Sequence, residues 1–197
     1  MGEHRQRAGN GLRLFNLIYG NNKTMNNVEL EGVEKTYGGK SLMKTIIVYA
    51  TKHGAAREIA ERIARGINGA VTHDLKQGAA PDLAAFDCVI VGASIYAGTV
   101  RKEAKTFIAQ NATALSGKTL GLFLSGMGTG DGKTYFEKNF PEDVLKNVKA
   151  TGFLGGAFDP AKGNVIERII MKLVTKQSGP VNRIDDAKIE QFVKALL

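Results

Sequence analysis

From Lys44 onward, short β-branched runs alternate with longer stretches in which apolar residues recur three and four positions apart. The short runs, Thr45 to Ala50, Ala70 to Asp74, Cys88 to Ala93, Thr119 to Ser125 and Thr151 to Ala157, predict strands. Ile46-Ile47-Val48, Cys88-Val89-Ile90-Val91 and Leu122-Phe123-Leu124 are continuous rather than alternating, so those strands need cover on both faces. The stretch Ala56 to Ile67 sets Ile59, Ile63 and Ile67 on one stripe with Glu58 and Arg62 four apart outside it, the pattern of a helix lying on a sheet. Arg101 to Ala112, Lys133 to Val148, Asn164 to Val174 and Asp186 to Leu197 predict further helices, the last with Asp185 as its N-cap. This alternation predicts an α/β fold: a doubly wound, five-stranded parallel sheet in the order 2-1-3-4-5, with helices on both faces.

Residues 1 to 42 stand apart, with Asn-Gly runs, scattered charge and only short apolar pieces such as Leu12, Leu14, Phe15, Leu17 and Ile18. They read as a disordered leader or a mis-assigned start, Met25 and Met43 being alternative starts, and the folded domain is expected over 43 to 197.

Composition narrows the picture. A chain of 197 residues, 43% apolar, can bury the core of one domain without covalent staples. The single cysteine, Cys88, excludes an intrachain disulfide and a cysteine-rich metal site, and makes a cytoplasmic setting the default. No run approaches the roughly 18 apolar residues of a membrane span, and no signal-peptide core opens the chain. The formal charge of +8 favours anionic partners without choosing among them. No nucleic-acid recognition module accompanies that charge, so no nucleic acid is expected as a partner. His53 and His73 are the histidines of the domain, and without an HExxH or paired-cysteine spacing no metal is expected. His73 and Cys88 read as structural.

Ligands of such sheets bind beyond the carboxyl ends of the strands, where strand order reverses, which directs attention to three segments. After the first strand, Thr51-Lys52-His53-Gly54-Ala55-Ala56 opens directly into a helix. A small-residue turn at a helix N-terminus points free N–H groups and the positive dipole end at an anion, here with the Thr51 hydroxyl as a further donor. After the third strand comes Gly92-Ala93-Ser94-Ile95-Tyr96-Ala97-Gly98-Thr99, and after the fourth Ser125-Gly126-Met127-Gly128-Thr129-Gly130-Asp131-Gly132. Both carry little side-chain bulk, so backbone can approach a planar ligand, and Tyr96 offers an aromatic face. Ordinary turn formation by the glycines and simple packing of Tyr96 are the plainer alternatives.

These segments carry a resemblance. Ile47-Val48-Tyr49-Ala50-Thr51-Lys52-His53-Gly54, Val91-Gly92-Ala93-Ser94-Ile95-Tyr96 and Leu124-Ser125-Gly126-Met127 resemble the three flavin-contacting segments of flavodoxin-domain proteins, across essentially Met43 to Leu197. The resemblance implies a flavodoxin-like fold and FMN held by Thr51 to Ala56, by Ser94 to Gly98, and by Ser125 to Thr129 with Asp131. The usual Thr/Ser-x-Thr-Gly-x-Thr loop is altered at His53 and Ala56. Two phosphate-binding hydroxyls are therefore missing, leaving backbone N–H groups and His53 to replace them. Gly92-Ala93-Ser94-Ile95 and the run from Gly152-Phe153-Leu154-Gly155-Gly156-Ala157 through Ile169-Ile170-Met171-Lys172-Leu173-Val174 to Ser178-Gly179-Pro180 are similar to the menaquinone-dependent protoporphyrinogen dehydrogenase group of heme biosynthesis. What that implies is oxidation of a porphyrinogen at the flavin, with electrons passed to a quinone.

The alternative is a non-catalytic flavodoxin-type electron carrier serving redox partner proteins. Around the second and third segments, Glu103, Asp131 and Glu137 face Arg101, Lys102, Lys105, Lys133 and Lys138, a positive balance that favours reduced, anionic FMN and hence a raised potential. The same cations suit a porphyrinogen's propionates or acidic headgroups. No side chain stands out as a general base, so FMN would supply the chemistry. A receiver domain would need clustered aspartates where Thr51 and Ser94 stand, and a nucleotide-triphosphate loop ending at Gly132-Lys133-Thr134 fails because Met127 occupies its first glycine position. The helix Asn164 to Val174 sets Val165, Ile166, Ile169, Ile170, Leu173 and Val174 beside Arg168, Lys172 and Lys176. Packing of that stripe on the sheet is the favoured expectation, and peripheral contact with an acidic membrane the other.

Overall fold

Strand β1 (Thr45–Ala50) is buried at every position, and its side chains divide by parity. Ile46, Val48 and Ala50 enter one core while Ile47 and Tyr49 enter the other. The computed structural model describes residues 43–78, 80–128 and 132–197, so the expectation about residues 1 to 42 lies outside the described residues. In chain order β1 is followed by α1 (Ala55–Gly66), β2 (Val71–Asp74), β3 (Cys88–Tyr96), β4 (Thr99–Val100), α2 (Lys102–Gln110) and α3 (Ala112–Leu115). Then come β5 (Thr119–Ser125), α4 (Lys133–Asn139), α5 (Glu142–Lys146), β6 (Val148–Phe153), β7 (Ala157–Phe158), α6 (Val165–Thr175), β8 (Val181–Asn182) and α7 (Asp186–Leu196).

The main sheet runs β2-β1-β3-β5-β6 with those pairings parallel, and β4 folds back antiparallel on β3. Leaving out the short β4, this is the expected 2-1-3-4-5 order. One face is covered by α1 and α7, through Ala56, Ile59, Ile63, Ile189, Phe192 and Leu196. The other is covered by α2, α3 and α4, through Ala104, Phe107, Ile108, Leu115 and Phe136. Continuous apolar strands are what a sheet covered on both faces requires. Asp185 caps α7 as expected, its carboxylate accepting from Lys188 N at 3.1 Å.

Several boundaries differ, each for a local reason. The helix expected over Lys133 to Val148 is broken at Pro141, which forces Phe140 into extended backbone (φ −126°, ψ 142°) and yields α4 and α5. The stretch Arg101 to Ala112 ends at Gln110, and α3 forms separately. The last strand is Val148–Phe153 rather than Thr151 to Ala157, because the chain leaves the sheet at Leu154. At Gly155 (φ 80°) a Cβ would stand 1.8 Å from Arg183 O, so only glycine lets the two strands of the following excursion lie together. That excursion closes through the antiparallel pair β7 and β8, Ala157 opposite Asn182 and Phe158 opposite Val181.

The largest departure is α6. The expectation that its apolar stripe packs on the sheet is overturned: Val165, Ile166, Ile169, Ile170, Leu173 and Val174 are all exposed. Both sheet faces are already occupied by other helices, and α6 lies within the excursion between β7 and β8.

Candidate functional site

The turn after β1 is shaped by Gly54, whose φ of 95° lets the chain pass from strand into α1. No side chain caps that helix, so its first N–H groups are left for another acceptor. Thr51, 8% exposed, accepts from Gly54 N at 3.0 Å and lies 3.3 Å from the Ser94 hydroxyl, tying this turn to the rim of β3.

β3 runs further than its apolar run suggests, to Tyr96, and returns as β4 through Ala97 (φ 49°) and Gly98 (φ 78°). The hairpin is held from α4, where Asn139 donates to Gly98 O at 3.0 Å and accepts from Val100 N at 2.9 Å. The loop after β5 is tied to the excursion, Gly126 N donating to Gly155 O at 3.0 Å.

Between these rims lies a cavity of about 270 Å³. Lys52, His53 and Ala55, Ser94 to Gly98, and Ser125 to Gly128 line it, so most of the expected site residues come together there. Thr51 and Gly54 shape the first turn beneath it, while the Ala56 side chain turns into the core under α1. Thr129 and Asp131 lie outside the described residues. A larger cleft of about 790 Å³, between residues 75 to 84 and α2, shares no lining residue with this site.

Other walls lie outside the three segments. Tyr135 and Phe153 stack with centroids 5.7 Å apart, and Arg101 borders the hairpin. Opposite stand Phe158 and, from α6, Glu167, Ile170, Met171 and Val174. Only the spacing of Glu167, Met171 and Thr175, at i, i+4 and i+8, hints that this otherwise minor stripe faces inward.

Glu167 is 2% exposed and organises the corner between excursion and first turn. It closes a capping box with Asn164, forms an ion pair with Lys52 Nζ, and lies 3.4 Å from His53 Nε2. The Lys52 hydrogen bond, the Asn164 backbone N–H and the nearby cations outweigh burial and hold its carboxyl down to about 2. Its shielding is local, supplied by those immediate partners on a rim rather than by depth in the protein. Lys52 Nζ also sits 4.8 Å above the Tyr96 ring, and His53 meets Phe158 edge-on at 5.5 Å.

Two buried nitrogens facing this region lack hydrogen-bond partners: His53 Nε2, whose approach to Glu167 is poorly aligned, and Arg101 Nε. The other arm of Arg101 donates to Glu103 at 2.6 Å. Burial alone would raise Glu103, but the Arg101 hydrogen bond and charge, with its own backbone N–H, hold it below the usual carboxylate range. Lys133 and Glu137 lie 3.8 Å apart, so part of the cationic balance read from composition is compensated locally. Cys88, fully buried within β3, has its thiol pushed up to about 11 by burial and is inert packing.

Comparison with known proteins places this arrangement. A family model described as "Flavodoxin domain" matches residues 46–183. No curated protein matches the chain. Among solved structures, oxidised flavodoxin 1 from Bacillus cereus is 16% identical over 78% of this chain and 96% of that one, with a TM-score of 0.49. A flavoprotein in complex with FMN from Lactobacillus acidophilus is 17% identical over 57% and 91%, with a TM-score of 0.42. A WrbA-like flavodoxin from Agrobacterium tumefaciens is 23% identical over 45% of this chain, with a TM-score of 0.40; the chain spans only 62% of that protein's length.

Proposed function

The chain belongs to the flavodoxin domain family, and from that premise we propose that it binds FMN and works as an oxidoreductase of the protoporphyrinogen dehydrogenase type, moving electrons from a porphyrinogen-like donor to a quinone. The cavity suits the cofactor. Its volume of about 270 Å³ lies just below the lower end of small-ligand sites, about 300 Å³. The uncapped N-terminus of α1, the Thr51 hydroxyl and the unpartnered His53 Nε2 are the groups to hold a phosphate. The Tyr96 face and the backbone of Ser94 to Gly98 and Ser125 to Gly128 are the groups to hold the ring.

When bound, FMN supplies the electron-accepting chemistry. The chain's own residues position and discriminate. The observation that carries an enzymatic reading is the apolar wall of Ile170, Met171 and Val174 facing the hairpin across the cavity. With Ile170 39% and Val174 51% exposed, this lining offers apolar contact to a flat, lipophilic reactant without sealing it from water. Arg101, with its unpartnered Nε at the border, offers a donor to a carboxylate such as a propionate. In the proposed reaction the donor loses a hydride and a proton, and the quinone takes up the same equivalents to become a quinol. Arg101, although paired with Glu103, lines the cavity and favours negative charge there, so a potential above that of a low-potential carrier is expected.

An absorption spectrum of the purified protein tests the cofactor, and anaerobic turnover with protoporphyrinogen and menadione tests the reaction. Bound flavin with no turnover, but with rapid electron exchange with a redox protein, would replace the dehydrogenase by a carrier. A colourless protein that does not quench added FMN would remove both.

A further inference from the structure

The helix α6 is built inside out. Its buried positions are Glu167 and Thr175, with Met171 half-buried between them, one residue every turn along a single stripe. Its apolar half faces away: Val165 is 69% exposed, Ile166 67%, Ile169 57% and Leu173 75%. Glu167 ties the helix to Lys52, and Met171 and Thr175 carry its other inward-facing surface, while the Asn164 capping box closes its own first turn.

The exposed charges of α6 and its C-cap, Arg168, Lys172 and Lys176, are cationic, while Lys162 lines a cleft shared with Glu58, Glu61 and Asp159. From Pro160 to Ile184 the cations are Lys162, Arg168, Lys172, Lys176 and Arg183. Glu167 is the only carboxylate in the segment, and it is buried against Lys52. Lys162, Arg168, Lys172 and Lys176 are all exposed. Long cationic side chains flanking an aliphatic stripe can reach phosphates while the stripe enters the acyl boundary. No helix among the described residues is long and apolar enough to cross a membrane, so the contact would lie in the interface plane.

We infer that α6 docks the protein on an anionic phospholipid bilayer, inserting Val165, Ile166, Ile169 and Leu173 beneath headgroups bound by Arg168, Lys172 and Lys176. A second copy of the chain would meet the same cations on itself, which disfavours self-association through this face and leaves the lipid surface as the complementary partner. Docking does not require the flavin chemistry. Only the consequence that the cavity, sharing Ile170 and Val174 with this helix, would open near the interface bears on the proposed function.

Vesicle flotation of the FMN-loaded protein tests the inference, using phosphatidylcholine alone and phosphatidylcholine with an equal part of phosphatidylglycerol. At low salt the protein floats with the mixed vesicles and stays behind with the neutral ones, and added salt weakens the binding. Ile169→Gln with Leu173→Gln weakens it more than about tenfold. Lys172→Gln with Lys176→Gln weakens it about fivefold for each charge removed. Flavin absorbance and circular dichroism in the same fractions establish that the variants are folded, so a failure to dock is read separately from a failure to bind FMN. Wild type that stays behind with anionic vesicles overturns the inference. So does either double variant floating like wild type, or a protein that forms dimers through this face without binding vesicles.

Discussion

Helices α1 and α6 are nearly equal in length, 12 and 11 residues, and both carry a stripe of branched aliphatic residues, yet the stripes meet opposite fates. In α1, Ile59 and Ile63 are 0% exposed beneath the sheet. In α6 the corresponding residues stand in solvent, although burying each would stabilise the fold by about 1.5 to 3 kcal/mol. Amphipathicity states that a helix needs an apolar neighbour, not which one. α1 follows a strand directly and falls back on it, as a crossover must. α6 arises inside an excursion whose ends are joined by β7 and β8, after both sheet faces have been filled.

The contrast breaks most readily by truncation. Ile63→Ala in α1 should cost about 2 to 5 kcal/mol, while Leu173→Ala in α6 should stay within about 0.5 kcal/mol, read from urea midpoints at unchanged slope. Equal costs would mean that α6 is packed in solution. The excursion itself is tested at Gly155→Ala, where the left-handed backbone and the Arg183 carbonyl together should cost about 2 kcal/mol or more, measured by thermal unfolding.

At the head of α1, Thr51→Val removes a hydroxyl from the phosphate turn and should raise the FMN dissociation constant about tenfold, measured by flavin fluorescence quenching. A change of less than about twofold would move the phosphate elsewhere.

The smallest effect sharpens what α6 retains. The Lys52 and Asn164 hydrogen bonds hold the Glu167 carboxyl down to about 2, below the ordinary value of 4.5, so its contribution is fully present above 4.5 and is lost as pH falls through about 2. Because Lys52 is 36% exposed, solvent screening reduces the contribution to on the order of 1 kcal/mol. Glu167→Gln should therefore lower stability at neutral pH and flatten the acid decline between 4.5 and 2, followed by urea unfolding at several pH values. An unchanged acid profile would remove the ion pair from the account.

The sheet was legible in the sequence because its signals are local. Continuous apolar runs such as Cys88 to Val91 state that both faces are covered, and a parallel sheet with crossovers is how a chain covers them. The three rims followed from that topology, and with them most residues of the cavity, since ligand positions in such folds are set by strand ends. What only the tertiary structure decided lies where distant segments meet. Nothing local in Glu167 announces that it will reach Lys52, 115 positions earlier. The outward face of α6 belongs to the same class. Its periodicity is that of a buried helix, and the prior occupation of both sheet faces left its apolar stripe exposed among the described residues.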